Sequence, residues 1–149
     1  MIHIQTTLWG EIELPEEAIY HFPKGLPGFE EEDTFVIVPW EDTPFNYLQS
    51  VKEPGLAFLL VSPFVFVPDY SFELSEADKE ELEIQDQVSV YSIVTIQAEA
   101  NKSTMNLLAP VVLNPDKRMG KQVVLHQSSY ETRHLIWASD EVAPVKGGI

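Results

Sequence analysis

Eleven prolines in 149 residues, several of them inside apolar runs, constrain this chain more than any other feature. The clearest case is Leu56 to Leu74, L-A-F-L-L-V-S-P-F-V-F-V-P-D-Y-S-F-E-L, the most apolar stretch of the sequence. Leu56 to Val61 is too short to span a membrane and reads as a strand covered on both faces. Pro63 and Pro68 each remove a backbone donor, which a sheet tolerates only at an edge, a strand start or a bulge. The segment from Phe64 to Tyr70 is therefore expected to begin as an edge or bent strand and to leave the sheet at Pro68-Asp69. Its aromatic side chains cannot all face one core, so Phe66 to Phe72 reads either as core or as a surface on which another molecule docks.

The same punctuation recurs along the chain. Ile2 and Ile4, then Ile12 and Leu14, alternate with polar residues around Gly10 and predict an opening hairpin. His21 to Glu30 holds two prolines and two glycines, and Leu26-Pro27-Gly28-Phe29 suits a type II turn, with Phe22, Leu26 and Phe29 as anchors. Phe35 to Val38 is a short buried strand ended by Pro39. Thr43-Pro44 resembles a helix N-cap, so Phe45 to Ser50 is expected to form a single helical turn. Ser75 with Asp78 matches a capping box that opens a short acidic helix through Leu82, with only Ala77, Leu82 and Ile84 available to pack.

Val88 to Ile96 alternates as a long strand, and Met105, Leu107, Ala109, Val111 and Leu113 alternate in a second one that Pro110 demotes to an edge or a bulge. Asn114-Pro115-Asp116 makes a turn, Gln122 to His126 returns as a strand, and Tyr130 to Trp137 fits strand or helix equally. With short strands, many turns and almost no helix, the chain is expected to be all-β. The expected fold is a small antiparallel β-barrel-like domain with proline-interrupted strands and one or two short helices. One domain over 1–137 is expected, with a loose tail over 138–149.

Composition excludes several functions. Without cysteine there is neither disulfide nor thiolate chemistry. The first residues lack the basic start and apolar block of a signal peptide, and no run reaches membrane length, so the chain reads as soluble and cytoplasmic. The four histidines form no i, i+4 pair, no serine lies in a G-x-S-x-G elbow, and the Gly-rich loop lacks the lysine-serine pair of a phosphate site. No metal, cofactor or catalytic residue is expected. A carboxylate pair among Glu30, Glu31, Glu73 and Glu99 is the one remaining route to a hydrolase, and carboxylates are too abundant here for their presence to favour it.

Charge points toward recognition. The net charge is −15; residues 1–99 carry 20 acidic against 3 basic side chains, and residues 100–149 carry 4 against 6. Such a field repels phosphate, which disfavours direct nucleic-acid binding, and attracts a basic protein; it also keeps a chain soluble whatever it binds. The docking elements this leaves are the Pro68 to Tyr70 corner, Phe72, the loop Gly25 to Phe29 and the run Met105 to Pro110. Asn106 can either offer its amide to a partner backbone or cap a local turn.

Taken in order, F-P-K-G-L-P-G-F-E (22–30), L-Q-S-V (48–51), S-P-F running into P-D-Y-S-F-E-L (62–74), V-T-I (94–96), N-L-L-A-P-V-V-L-N (106–114) and Q-V-V-L (122–125) resemble the flagellar assembly factor FliW family. The resemblance covers residues 1–137. It implies a small cytoplasmic β-barrel-like protein without enzymatic activity. Such a protein binds flagellin before export and, when free of it, sequesters the basic translational repressor CsrA so that flagellin mRNA is translated. A dedicated flagellin chaperone without a regulatory partner is the alternative. Phe66, Asp69, Tyr70 and Phe72 are the expected partner contacts, flanked by Asn106, Leu107 and Pro110; Gly25, Leu26, Pro27, Gly28 and Phe29 are expected to be either structural or partner-binding.

Overall fold

A computed structural model describes residues 1–126 and 128–137; the expected tail, 138–149, lies outside the described residues. The opening hairpin forms as expected. β1 (Ile2–Thr6) and β2 (Gly10–Leu14) pair antiparallel from Ile2↔Leu14 to Thr6↔Gly10. Gly10 supplies the positive φ of 71° at the turn, and the Thr6 hydroxyl closes it by donating to the Gly10 carbonyl (2.7 Å) and accepting the Trp9 amide (2.9 Å).

The hairpin lies on a closed barrel of seven strands: β3 (Ile19–His21), β4 (Thr34–Pro39), β5 (Phe45–Ser50), β6 (Ala57–Val61), β7 (Ser89–Thr95), β9 (Val111–Asn114) and β10 (Met119–Gln122). Between β7 and β9 runs the short β8 (Thr104–Met105), to which β11 (His134–Leu135) adds. β7 is where the sheet forks. One edge pairs with β6; the other pairs with β9 over Ser89 to Tyr91 and with β8 over Val94 and Thr95. All pairings are antiparallel except the closure of β10 on β3, a single parallel pair, Met119↔His21. Phe22, Leu26, Phe35, Leu48, Leu60, Val111 and Leu113 fill the barrel, with Phe22 edge-on to Phe35 at 5.2 Å.

The all-β architecture and the capped helix agree with expectation. Ser75 accepts the Asp78 amide at 3.1 Å and opens α1 (Glu76–Glu81), whose one firm anchor is the buried Leu82. Asn114, in the expected turn, reaches across to donate its amide to the carbonyls of Leu82 (2.8 Å) and Glu83 (3.1 Å), groups the helix end leaves open.

Four local expectations fail. Phe45 to Ser50 is not a helical turn but β5, laddered on both edges. Thr43 acts as a turn residue instead, donating to the Trp40 carbonyl and accepting the Phe45 amide. Phe64 to Tyr70 is not a bent strand: Pro63 starts a 3-10 turn over Pro63–Val65, where its fixed φ suits a helix start, so the chain leaves the sheet at Ser62 rather than at Pro68. The run from Thr104 splits into β8 and β9, because Asn106 accepts the amides of Leu108 (3.0 Å) and Ala109 (2.9 Å) and bends the chain. The returning strand is β10, ending at Gln122, whereas Val123 and Leu125 continue only through isolated bonds to the carbonyls of Pro110 and Leu108, both 2.8 Å. The segment 130–137, open between two states, contains β11.

Candidate partner-binding surface

Between β6 and α1 the chain forms a strap over the second core cluster, built on Val61, Tyr70, Val94, Met105, Leu107 and Ile136. Ser62 and Pro63 begin it with a tight turn that leaves Phe64 and Val65 exposed, at 41% and 55%. Further bonds, Val67 N–H to the Pro63 carbonyl (2.8 Å) and Tyr70 N–H to the Val67 carbonyl (3.0 Å), hold the corner that contains Pro68 and Asp69. Asp69 stands at the exposed tip.

Tyr70 pins that corner. Its ring is buried, its hydroxyl donates to the Leu107 carbonyl at 2.7 Å, and Tyr130 packs edge-on against it at 4.7 Å. Burial, reinforced by the neighbouring Tyr130, pushes the Tyr70 phenol well above its ordinary range, so it remains a neutral donor. Tyr130 clamps the next residue by accepting the Ser71 amide and donating to the Ser71 carbonyl, each at 3.1 Å.

The residues singled out from sequence thus fall into two groups. Asp69 is exposed, and Phe66 and Phe72 are half-buried on the strap. Tyr70 and Leu107 are buried in the cluster beneath it, Pro110 is buried as well, and Asn106 spends its side-chain oxygen on the local turn. The Tyr70 to Leu107 bond ties the strap directly to the segment beneath it. The loop Gly25 to Phe29 lies apart, on the first core cluster. There Gly25 and Gly28 have φ of 62° and 85°, and Phe29 N–H closes the turn on the Leu26 carbonyl at 2.7 Å. A Cβ at Gly25 would meet the Phe29 carbonyl oxygen at 2.5 Å, so this glycine is required by the backbone itself. Leu26 is buried, and Pro27 and Phe29 are exposed.

Two grooves flank the extended segment 71–75. One, about 940 Å³, separates it from Lys121 to His126; the other, about 650 Å³, separates it from Ile84 to Val90. The first is walled by an ion cluster in which Lys121 reaches Asp78 at 2.5 Å and Glu81 at 2.8 Å, while Lys24 reaches Glu81 at 3.1 Å. Burial is the largest single influence on Asp78 and opposes its charge, yet the bonds from Lys121 and Ser75 and the charges of Lys121 and Lys24 together outweigh it and lower its pKa; bonds from Lys121 and Lys24 lower that of Glu81. Among the described residues no group of three or more histidine, aspartate or glutamate side chains is placed to hold a metal ion, and no helix is long and apolar enough to cross a membrane.

An aromatic row that sequence reading did not single out lies alongside the strap. Trp9 packs on Tyr47 (5.1 Å), Tyr47 on Trp40 (5.9 Å), Trp40 on Phe45 (5.9 Å), Phe45 on Phe66 (6.5 Å) and Phe66 on Trp137 (6.0 Å). All three tryptophans of the chain take part. They are far apart in sequence, so no spacing connects them; the available signal was the outward side of β5, which expectation had made helical.

Comparison with known proteins agrees with this architecture. The family model described as FliW protein matches residues 3–136. The flagellar assembly factor FliW of Geobacillus kaustophilus is 44% identical over 136 residues, which is 90% of this chain and 94% of the relative. That of Bacillus subtilis is 48% identical, covering 89% of this chain and 95% of the relative. The crystal structure of a flagellar assembly factor FliW superposes with a TM-score of 0.87 at 41% identity, covering 95% of this chain and all of that one. The chain with the proline-turned strap and the seven-stranded barrel beneath it belongs to the FliW family.

Proposed function

We propose that this protein is a non-enzymatic regulator of flagellar assembly that works by exchanging protein partners. In this reading it binds flagellin and, when free of it, sequesters the repressor CsrA, so that flagellin mRNA is translated. The observation that carries the reading is the family match across residues 3–136, with relatives named as flagellar assembly factors. The charge supports it: 20 acidic side chains against 3 basic ones in residues 1–99 would steer a basic RNA-binding protein and repel RNA itself.

Phe66, Asp69 and Phe72 are the proposed contacts. Tyr70 and Leu107 hold them from below, Pro110 is buried as well, and Asn106 sets the turn that presents Leu107. The loop Gly25 to Phe29 is assigned a structural role at Gly25 and Leu26, with Pro27, Gly28 and Phe29 left as its accessible rim. The test is a pull-down of CsrA by this protein, repeated with flagellin added. Capture that flagellin abolishes is the expected result. Binding of flagellin with indifference to CsrA would leave the narrower role of a dedicated flagellin chaperone.

A further inference from the structure

The larger groove is bounded by two extended segments whose backbones are open toward one another. On one bank, Phe72 and Leu74 turn inward to the cluster around Leu82, Val112, Val123 and Leu125, while Ser71, Glu73 and Ser75 are exposed. In an extended chain the amide and carbonyl groups stand sideways to the side chains, here toward the grooves on either flank. Among the described residues, no hydrogen bond reaches the backbone of Phe72, Glu73 or Leu74.

On the other bank, the amides of Val123 and Leu125 bond the carbonyls of Pro110 and Leu108. Amide direction alternates along a strand, so Val124 turns its N–H and C=O the opposite way, and Val124 lines the groove. No described residue bonds that amide or carbonyl. Backbone groups of this kind are almost always paired once water is displaced from them. A space of about 940 Å³ lies between these two unpaired edges.

We propose that this groove takes an extended segment of a partner protein as an added strand, and that the segment is positively charged. The inference deepens the reading of the strap as a partner surface and rests on it. The added strand would bond Val124 on one side and the 72–74 backbone on the other. Its charge follows from the field: Glu73 is exposed on one bank, Lys121 in the wall is already paired with Asp78 and Glu81, and residues 1–99 carry 20 acidic side chains against 3 basic ones.

Residue-resolved hydrogen exchange on the full chain, free and with CsrA or flagellin added, tests this. The amides of 72–74 and of Val124 are expected to slow at least about tenfold in the complex with the basic CsrA. Val124→Pro removes one slot-facing donor without touching the Val123 and Leu125 bonds; it is expected to weaken capture about tenfold, the worth of one hydrogen bond at the upper end, while Val124→Ala stays within about twofold. If Val124→Pro does not fold, the exchange data on the unsubstituted chain decide. Capture of CsrA with these amides unchanged, as when a helix docks elsewhere, overturns the added strand and leaves the functional reading standing. Slowing by flagellin alone overturns the assignment of positive charge. Failure of both proteins to bind overturns the functional reading itself.

Discussion

The two halves of the barrel solve the same problem differently. From β3 through β6 the strands ladder continuously, and the aromatic residues Phe22 and Phe35 are wholly buried. From Ser62 onward prolines interrupt the ladder, and backbone groups are bonded one at a time by Tyr70, Tyr130 and Asn106. A closed ladder spends its backbone groups on itself. Among the described residues the interrupted half keeps some of them free, and the proposed added strand would use these.

The largest test of this contrast places one substitution in each half. Phe35→Ala should cost about 3–5 kcal/mol in urea unfolding, because it empties a site with no exposed surface. Phe64→Ala, at a ring already 41% exposed, should cost under about 1 kcal/mol. Equal losses would break the distinction. Next in size, Tyr70→Phe should cost about 1–3 kcal/mol, since the buried Leu107 carbonyl loses its donor. A loss near zero would mean that the strap is not held from below.

A smaller effect is expected at acid pH. The folded-state pKa values of Asp78 and Glu81 lie below the ordinary 3.8 and 4.5. Their contribution is therefore complete above about pH 5 and disappears as pH falls through the depressed values, when the unfolded chain already holds those protons. Asp78→Asn should flatten the acid limb of a stability profile, and an unchanged limb would remove the cluster from the account. Smallest on stability is Asp69→Lys at the exposed tip, expected within about 0.5 kcal/mol of the starting protein. Its effect belongs to binding: capture of CsrA should weaken and depend less on salt, and unchanged capture would take the corner out of the interface.

What could be read beforehand divides along the same line. The hairpin, the strand at Leu56 to Val61, the Ser75 cap and the turn at Leu26 to Phe29 are written in neighbouring residues, through period-2 alternation, a hydroxyl three residues before an acid, or a glycine following a proline. The misread segments depend on distant partners or on a choice between local bonds that neighbouring residue types leave open. Thr43-Pro44 looks like a helix start until β4 and β6 are seen on either side of Phe45 to Ser50. Asn106 breaks an alternating run only because its oxygen finds two amides ahead of it. Asp69 is exposed and Phe66 and Phe72 are half-buried, whereas Tyr70 resembles them in sequence and is buried, its hydroxyl donating to a carbonyl 37 residues later. The aromatic row was illegible for the same reason.

β10 closes on β3 through very little backbone pairing. Only Met119 and His21 are matched across it, with one added bond, 2.8 Å, from the His21 amide to the Arg118 carbonyl. Gly120 sits beside it, and there is no space for a methyl group between its backbone and the rings and branches of Phe22 and Leu113. The cylinder is thus fastened here by interlocking side chains and not by a ladder. Heat or pulling force should split it along this seam first, unrolling the wall into a curved sheet while the β4 to β6 ribbon is still intact.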